Sequence, residues 1–232
     1  MENINKIKKL SIWIFIIPFI ALNTCLVLIS NSNFHQFFDS AVVVGYTFPY
    51  IDGQVSISRT ARVFPTYLIF KPSMFVTAFF LVQYWRFNFN LMEKINSNLN
   101  YKKFFLFFGI GSAIFLVLHS IFLGIKFDND FYKLFRRVLV LSFIIFEVVA
   151  QTILVINFYK IKKQAIKLMN NKILNLKIVL VSILAVVGIA SIPFLVITNE
   201  YIYFKHALEW NYFIGVITFY LLTFFFWKKQ RT

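Results

Sequence analysis

The sequence predicts an all-α fold, a polytopic bundle of six transmembrane helices with both chain ends on the cytoplasmic side. Three observations lead there. Of 232 residues, 59% are hydrophobic and only 14% charged, with a mean hydropathy of +0.74, which excludes an ordinary soluble domain. Six stretches reach the ~20 apolar residues that a hydrocarbon core of about 30 Å demands of a helix whose backbone must pair within itself. Basic residues gather on one side of those stretches. Runs such as "IVLVSILAVV" are apolar at consecutive positions, unlike the alternating strands of a transmembrane β-barrel.

The first span, about 10–30, follows "KIKK" and is too long for the apolar core of a signal peptide, so it reads as a retained anchor. A long loop, about 31–65, comes next and carries "FPYIDGQVSISRTARVFP", the main polar interruption in the chain. The second span, about 66–85, leads to a turn rich in Asn, "NSNLN", before the third, about 104–124. The fourth, about 138–159, and the fifth, about 178–198, flank a second such turn, "NNK". Pro193 within the fifth reads as a tolerated kink. The sixth span runs over about 211–227. The whole chain, 1–232, reads as one domain.

Sixteen of the 24 Lys and Arg residues fall in the segments 1–9, 86–103, 160–177 and 228–232, which all lie on one side of a six-span arrangement. Acids show the opposite bias: Asp39, Asp52, Asp128, Asp130, Glu200 and Glu209 lie on the other side. The positive-inside rule therefore places both ends in the cytoplasm and the long loop outside. Short basic segments at span ends account for the net charge of +15 through orientation and contact with anionic lipid, so no nucleic acid is expected as a partner. Tyr84, Trp85, Tyr159 and Trp227 at inner ends, with Tyr201, Tyr203, Trp210 and Tyr212 at an outer one, read as interfacial belts. Cys25 is the single cysteine, which excludes an intrachain disulfide, a CxxC redox site and a thiolate cluster.

Ionisable side chains inside a span cost free energy and so call for a role. Glu147 lies about nine residues into the fourth span, roughly 14 Å deep, with Gln151 one turn on along the same face. His119 lies roughly 8 Å below the outer boundary of the third span. Lys71 opens the second span, and His206 and Glu209 share a face at the start of the sixth. These residues also have structural readings: Lys71 snorkelling, His119 with Ser120 joining helices, His206 and Glu209 solvated at a helix start. His119, Glu147, His206 and Glu209 are acceptable zinc ligands, but no HExxH or comparable spacing joins them; no metal and no cofactor is expected. Ser56 or Ser58 with His206 and Glu209 has the residue types of a hydrolase triad without a GxSxG elbow.

The long outer loop with "FPYI" and "SIS", followed by a proline and a second span, resembles the six-span Frag/DRAM/Sfk family, including the N-terminal part of the Cwh proteins. "HALEW" at the head of the last span resembles that family's A-x-E-W/Y sequence. The start of span four, "FRRVLVLSFIIFEVVAQ", lacks the His and small residues of eukaryotic members. The resemblance implies lipid handling: a membrane protein that binds, senses or helps remodel a polar lipid from the outer leaflet, with membrane lipids as partners and the inner membrane as its place if the source is bacterial.

Arg59, Arg62 and Lys71 then become candidates for the headgroup, with Ser58 and Thr60 beside them, because guanidinium forks match phosphate oxygens. Arg136 and Arg137 lie near them at the start of span four. Pairing of Arg59 and Arg62 with Asp39 or Asp52, pinning the loop, is the structural alternative. An enzymatic version would draw a general base from Glu147, His206, Glu209 or His119. Two other readings stay open: a small proton-coupled transporter using Glu147 and Gln151 at the midplane, and a scaffold without ligand chemistry.

Overall fold

The computed structural model describes residues 2–31, 34, 44–96, 101–125, 130–166, 168–196 and 201–228. Seven helices occupy them: α1 (Glu2–Ser30), α2 (Ile57–Ala61), α3 (Tyr67–Ile95), α4 (Lys102–Phe122), α5 (Asp130–Lys160), α6 (Asn171–Val196) and α7 (Ile202–Phe226). All but the five-residue α2 are long and apolar enough to cross a membrane, which makes the chain an integral membrane protein with an all-helical six-span fold. Most of the long helices outrun the apolar stretches. Hydropathy marks where a helix meets hydrocarbon, whereas the hydrogen-bonded ladder continues through polar residues such as those of "ENINKIKK" in α1.

Each long helix packs on the next, and α7 returns to α1, so the six spans close a ring in chain order. Short connections favour this arrangement of sequential neighbours. Outward-facing side chains such as Phe79, Ile145 and Ile189 are well exposed, as befits surfaces facing lipid tails. At one end, Lys8 Nζ donates to the Trp227 carbonyl at 3.2 Å, and the α5–α6 connection exchanges backbone hydrogen bonds with 226–228, at 2.9 Å from Asn170 N and 3.0 Å to Leu168 O. The start of α1 and the end of α7 therefore share one face of the bundle, the face that the charge bias assigns to the cytoplasm. The opposite, outer end carries α2 and the described part of the long loop.

Two expectations change. Tyr84, Trp85, Trp210 and Trp227 are buried core residues, whereas Tyr159, Tyr201 and Tyr203 remain exposed. Trp85 is admitted because Gly109 of α4 has no side chain; a Cβ there would lie 2.4 Å from the indole ring atoms. Lys177, counted above among the inner-loop cations, lies within α6 and is fully buried. It shares the buried face of α6 with Leu174, Val181 and Leu184, while Val179, Ile183 and Val186 of the apolar run face outward.

Candidate functional site

The outer cap is built first by Asp52. Its carboxylate accepts from the Thr47 hydroxyl at 2.7 Å, the Phe48 amide at 2.8 Å and the Gln54 amide at 3.1 Å, closing a tight turn. Burial alone would raise this carboxyl, but the Gln54, Thr47 and Phe48 hydrogen bonds outweigh it and hold it below the usual carboxylate range. Gly53 follows at φ +60, where a Cβ would collide with the Tyr203 carbonyl.

The head of α7 grips this turn side chain by side chain. His206 Nδ1 lies 2.8 Å from the Gly53 carbonyl, Trp210 Nε1 donates to the Val55 carbonyl at 2.8 Å, and Asn211 donates to the Tyr50 carbonyl at 2.6 Å. Glu209 accepts from the Ile57 amide at 3.3 Å, satisfying a donor that α2 cannot satisfy itself. Tyr50 packs edge-on against Trp210, ring centroids 5.1 Å apart. The patches "FPYI", "SIS" and "HALEW" are thus brought together into one interface. His206 and Glu209 anchor the loop there.

Beneath the cap lies a cavity of about 590 Å³, walled by α1, α2, α3, α4, α5 and α7. That size suits a lipid-like or drug-sized ligand. Its outer rim carries Ser58, Arg62, Arg136 and Arg137; its walls are apolar side chains such as Leu22, Phe70, Met74, Val140 and Phe213; Glu147 and Tyr220 line its deep end. Arg136 and Glu147 are eleven residues apart on α5, about 16 Å at 1.5 Å per residue, or roughly half of a ~30 Å hydrocarbon core.

Among the described residues, none of the three rim arginines forms an ion pair. Arg136 lies over the Tyr132 ring at 5.3 Å, and its Nε is buried without a hydrogen-bond partner. Burial pushes the Arg62 guanidinium below its ordinary pKa, and the like charges of Arg136 and Arg59 add to the shift. Guanidiniums crowded at the rim of an apolar cavity create a positive field there.

At the deep end, Glu147 is fully buried and accepts from Ser112 Oγ at 2.6 Å, Gln151 Nε2 at 2.9 Å and the Tyr220 hydroxyl. Gln151 Nε2 also reaches the Val216 carbonyl at 3.2 Å, fixing α5 to α7. Ser112 is 2.8 Å from the Gly109 carbonyl as well, so its single proton serves two acceptors.

The remaining candidates are distributed around the cavity. His119 lines it, with Nδ1 buried and unpartnered. Ser58, Arg62 and Glu209 line it; Arg59, Thr60, Lys71 and His206 do not. Thr60 is buried and donates to the Ser56 carbonyl at 3.0 Å, and the Arg59 amide is capped by Ser56 Oγ at 3.2 Å. Lys71 donates to the Ile121 carbonyl at 3.3 Å and lies 5.7 Å from the Tyr67 ring. Asp39 lies outside the described residues. No group of three or more His, Cys, Asp or Glu suited to a metal occurs among the described residues.

Sequence reasoning missed Ser112 and Tyr220. The available signal was the polar pair Tyr220 and Thr223, one turn apart in an otherwise oily last span. In comparisons with family models, curated proteins and solved structures, none matches this chain.

Proposed function

We propose that the chain binds a phosphate-bearing lipid drawn from the outer leaflet, with the headgroup at Arg62, Arg136, Arg137 and Ser58 and an acyl chain along the apolar wall. The observation that carries this reading is the composition of the cavity: three guanidiniums at its rim, hydrocarbon below. Arginine forks bind phosphate oxygens with two parallel hydrogen bonds, and an anion relieves the mutual repulsion of the rim charges. The headgroup set so drawn keeps Arg62 and Ser58 and brings in Arg136 and Arg137, while Arg59, Thr60 and Lys71 support the cap or the rim from outside. The resemblance to the Frag/DRAM/Sfk family points to the same chemistry of lipid handling.

Binding fits the geometry better than catalysis. Glu209 lines the cavity, but its carboxylate is engaged by the Ile57 amide and His206 by the Gly53 carbonyl, both holding the loop, and Glu147 lies about 16 Å from the rim, away from where a headgroup ester would sit. The test is lipid phosphate retained by protein purified in mild detergent. Wild type is expected to retain bound phospholipid and Arg62→Ala with Arg136→Ala to lose it, while Lys103→Ala at the inner end leaves it unchanged. Equal phosphate on all three proteins contradicts the reading.

A further inference from the structure

The cavity opens under the cap and reaches down to Leu81, Glu147 and Tyr220. From its deep end, where Glu147 and Tyr220 line it, a second polar system runs on to the other buried charge-bearing side chain. Among the described residues, Glu147 and Lys177 are the buried acid and the buried amine. Lys177 Nζ donates to Thr223 Oγ1 at 2.6 Å and lies 3.8 Å from the centre of the Phe219 ring, with Phe226 at 5.3 Å and Phe158 at 5.8 Å. Ring faces attract an ammonium, so Phe219, Phe226 and Phe158 with the Thr223 hydroxyl give Nζ partners once it takes up a proton, in place of a carboxylate. Among the described residues, Lys177 makes no ion pair.

The acid and the amine are joined by hydroxyls. Thr223 Oγ1 lies 3.2 Å from the Tyr84 hydroxyl; the Tyr84 and Tyr220 rings meet edge-on at 5.0 Å; the Tyr220 hydroxyl bonds Glu147. Buried acceptors without partners flank this column, Gln151 Oε1 beside Glu147 and Asn88 Oδ1 beneath Tyr84, whose carbonyl takes Asn88 Nδ2 at 2.9 Å. Unsatisfied buried atoms of this kind mark places where bridging water belongs. A packed apolar core has no use for such a column, and the oily remainder of α6 and α7 shows that apolar side chains were available.

We propose that Glu147 and Lys177 are the two ends of a proton relay that connects the outer cavity with the inner half of the bundle. A proton from the cavity adds to the Glu147 carboxylate. It then passes to Tyr220, Tyr84 and Thr223, each hydroxyl oxygen accepting one proton and releasing its own, with water bridging the two tyrosines. The Lys177 amine takes the last proton. Glu147 ends as carboxylate and Lys177 as ammonium; only O–H and N–H bonds change. Release follows toward the inner end, six residues along α6 to its start at Asn171, or about 9 Å.

This relay stands on the buried half of the molecule and is independent of the headgroup reading. Its test is proton uptake by proteoliposomes of phosphatidylcholine and phosphatidylglycerol with a pH dye inside, driven by a potassium diffusion potential, with and without dodecyl phosphate outside. Wild type and the exposed Lys103→Ala are expected to acidify the lumen faster than protein-free vesicles. Glu147→Gln, Lys177→Met, and the folded mid-chain variants Tyr220→Phe and Thr223→Val are expected to fall to the protein-free rate. Wild-type flux no faster than protein-free vesicles under both conditions overturns the relay, as does full flux in Tyr220→Phe and Thr223→Val.

Discussion

Glu147 is held by donors from three different helices, and this decides what its replacement costs. Removing the Tyr220 hydroxyl with Tyr220→Phe leaves the shape of the ring in place and takes one donor from a buried carboxyl. The expected loss is about 1–3 kcal/mol, read as a lower melting temperature in detergent. Asp52 offers a pH test at the surface. Its folded pKa is lowered, so its contribution to loop stability is present above the ordinary carboxylate pKa of about 3.9 and disappears as pH falls through the folded value. Asp52→Ala should therefore speed cleavage of the loop by a neutral protease at pH 7. At a pH low enough to protonate Asp52 in the folded protein, wild type and variant should be cut alike by an acid protease; a difference that persists there contradicts the account.

At the scale of elements, two glycines set two docking events. Gly109 lets α3 and α4 approach with Trp85 between them, so Gly109→Leu forces the indole out of place. Overpacking of this kind costs about 1–3 kcal/mol and should shift the tryptophan emission along with the melting temperature. Gly53 lets the loop turn under the head of α7, and Gly53→Ala should expose the loop to protease without a comparable loss of helix content. These contacts also show why part of the structure was legible and part was not. Span number followed from apolar length, because hydrocarbon thickness leaves no alternative. Trp85 and Trp210 stood at span ends, where a belt is the ordinary reading, and only the glycine on the facing helix and the carbonyl of Val55 reveal that both are core residues. Lys177 was misplaced for a similar reason: it sits one residue before an apolar run, and which way a helix turns is fixed by its neighbours.

The whole molecule combines a ring of six spans, a cap held by α7, an apolar cavity beneath it and a buried polar column that runs from the deep end of the cavity to Lys177. Glu147 and Arg62 were singled out from sequence because charge is costly inside or beyond such a bundle. Their convergence with Arg136, Arg137 and His119 on one cavity was not legible, since those residues come from different helices whose order around the ring no local pattern encodes. The two proposals together put a lipid site above a proton path. Native mass spectrometry of the protein released from mixed phosphatidylcholine and phosphatidylglycerol vesicles tests the central claim most directly. Wild type should retain one anionic lipid, lost on Arg62→Ala with Arg136→Ala and Arg137→Ala and also on filling the cavity with Val140→Trp. Retention of the same lipid by both variants would contradict it.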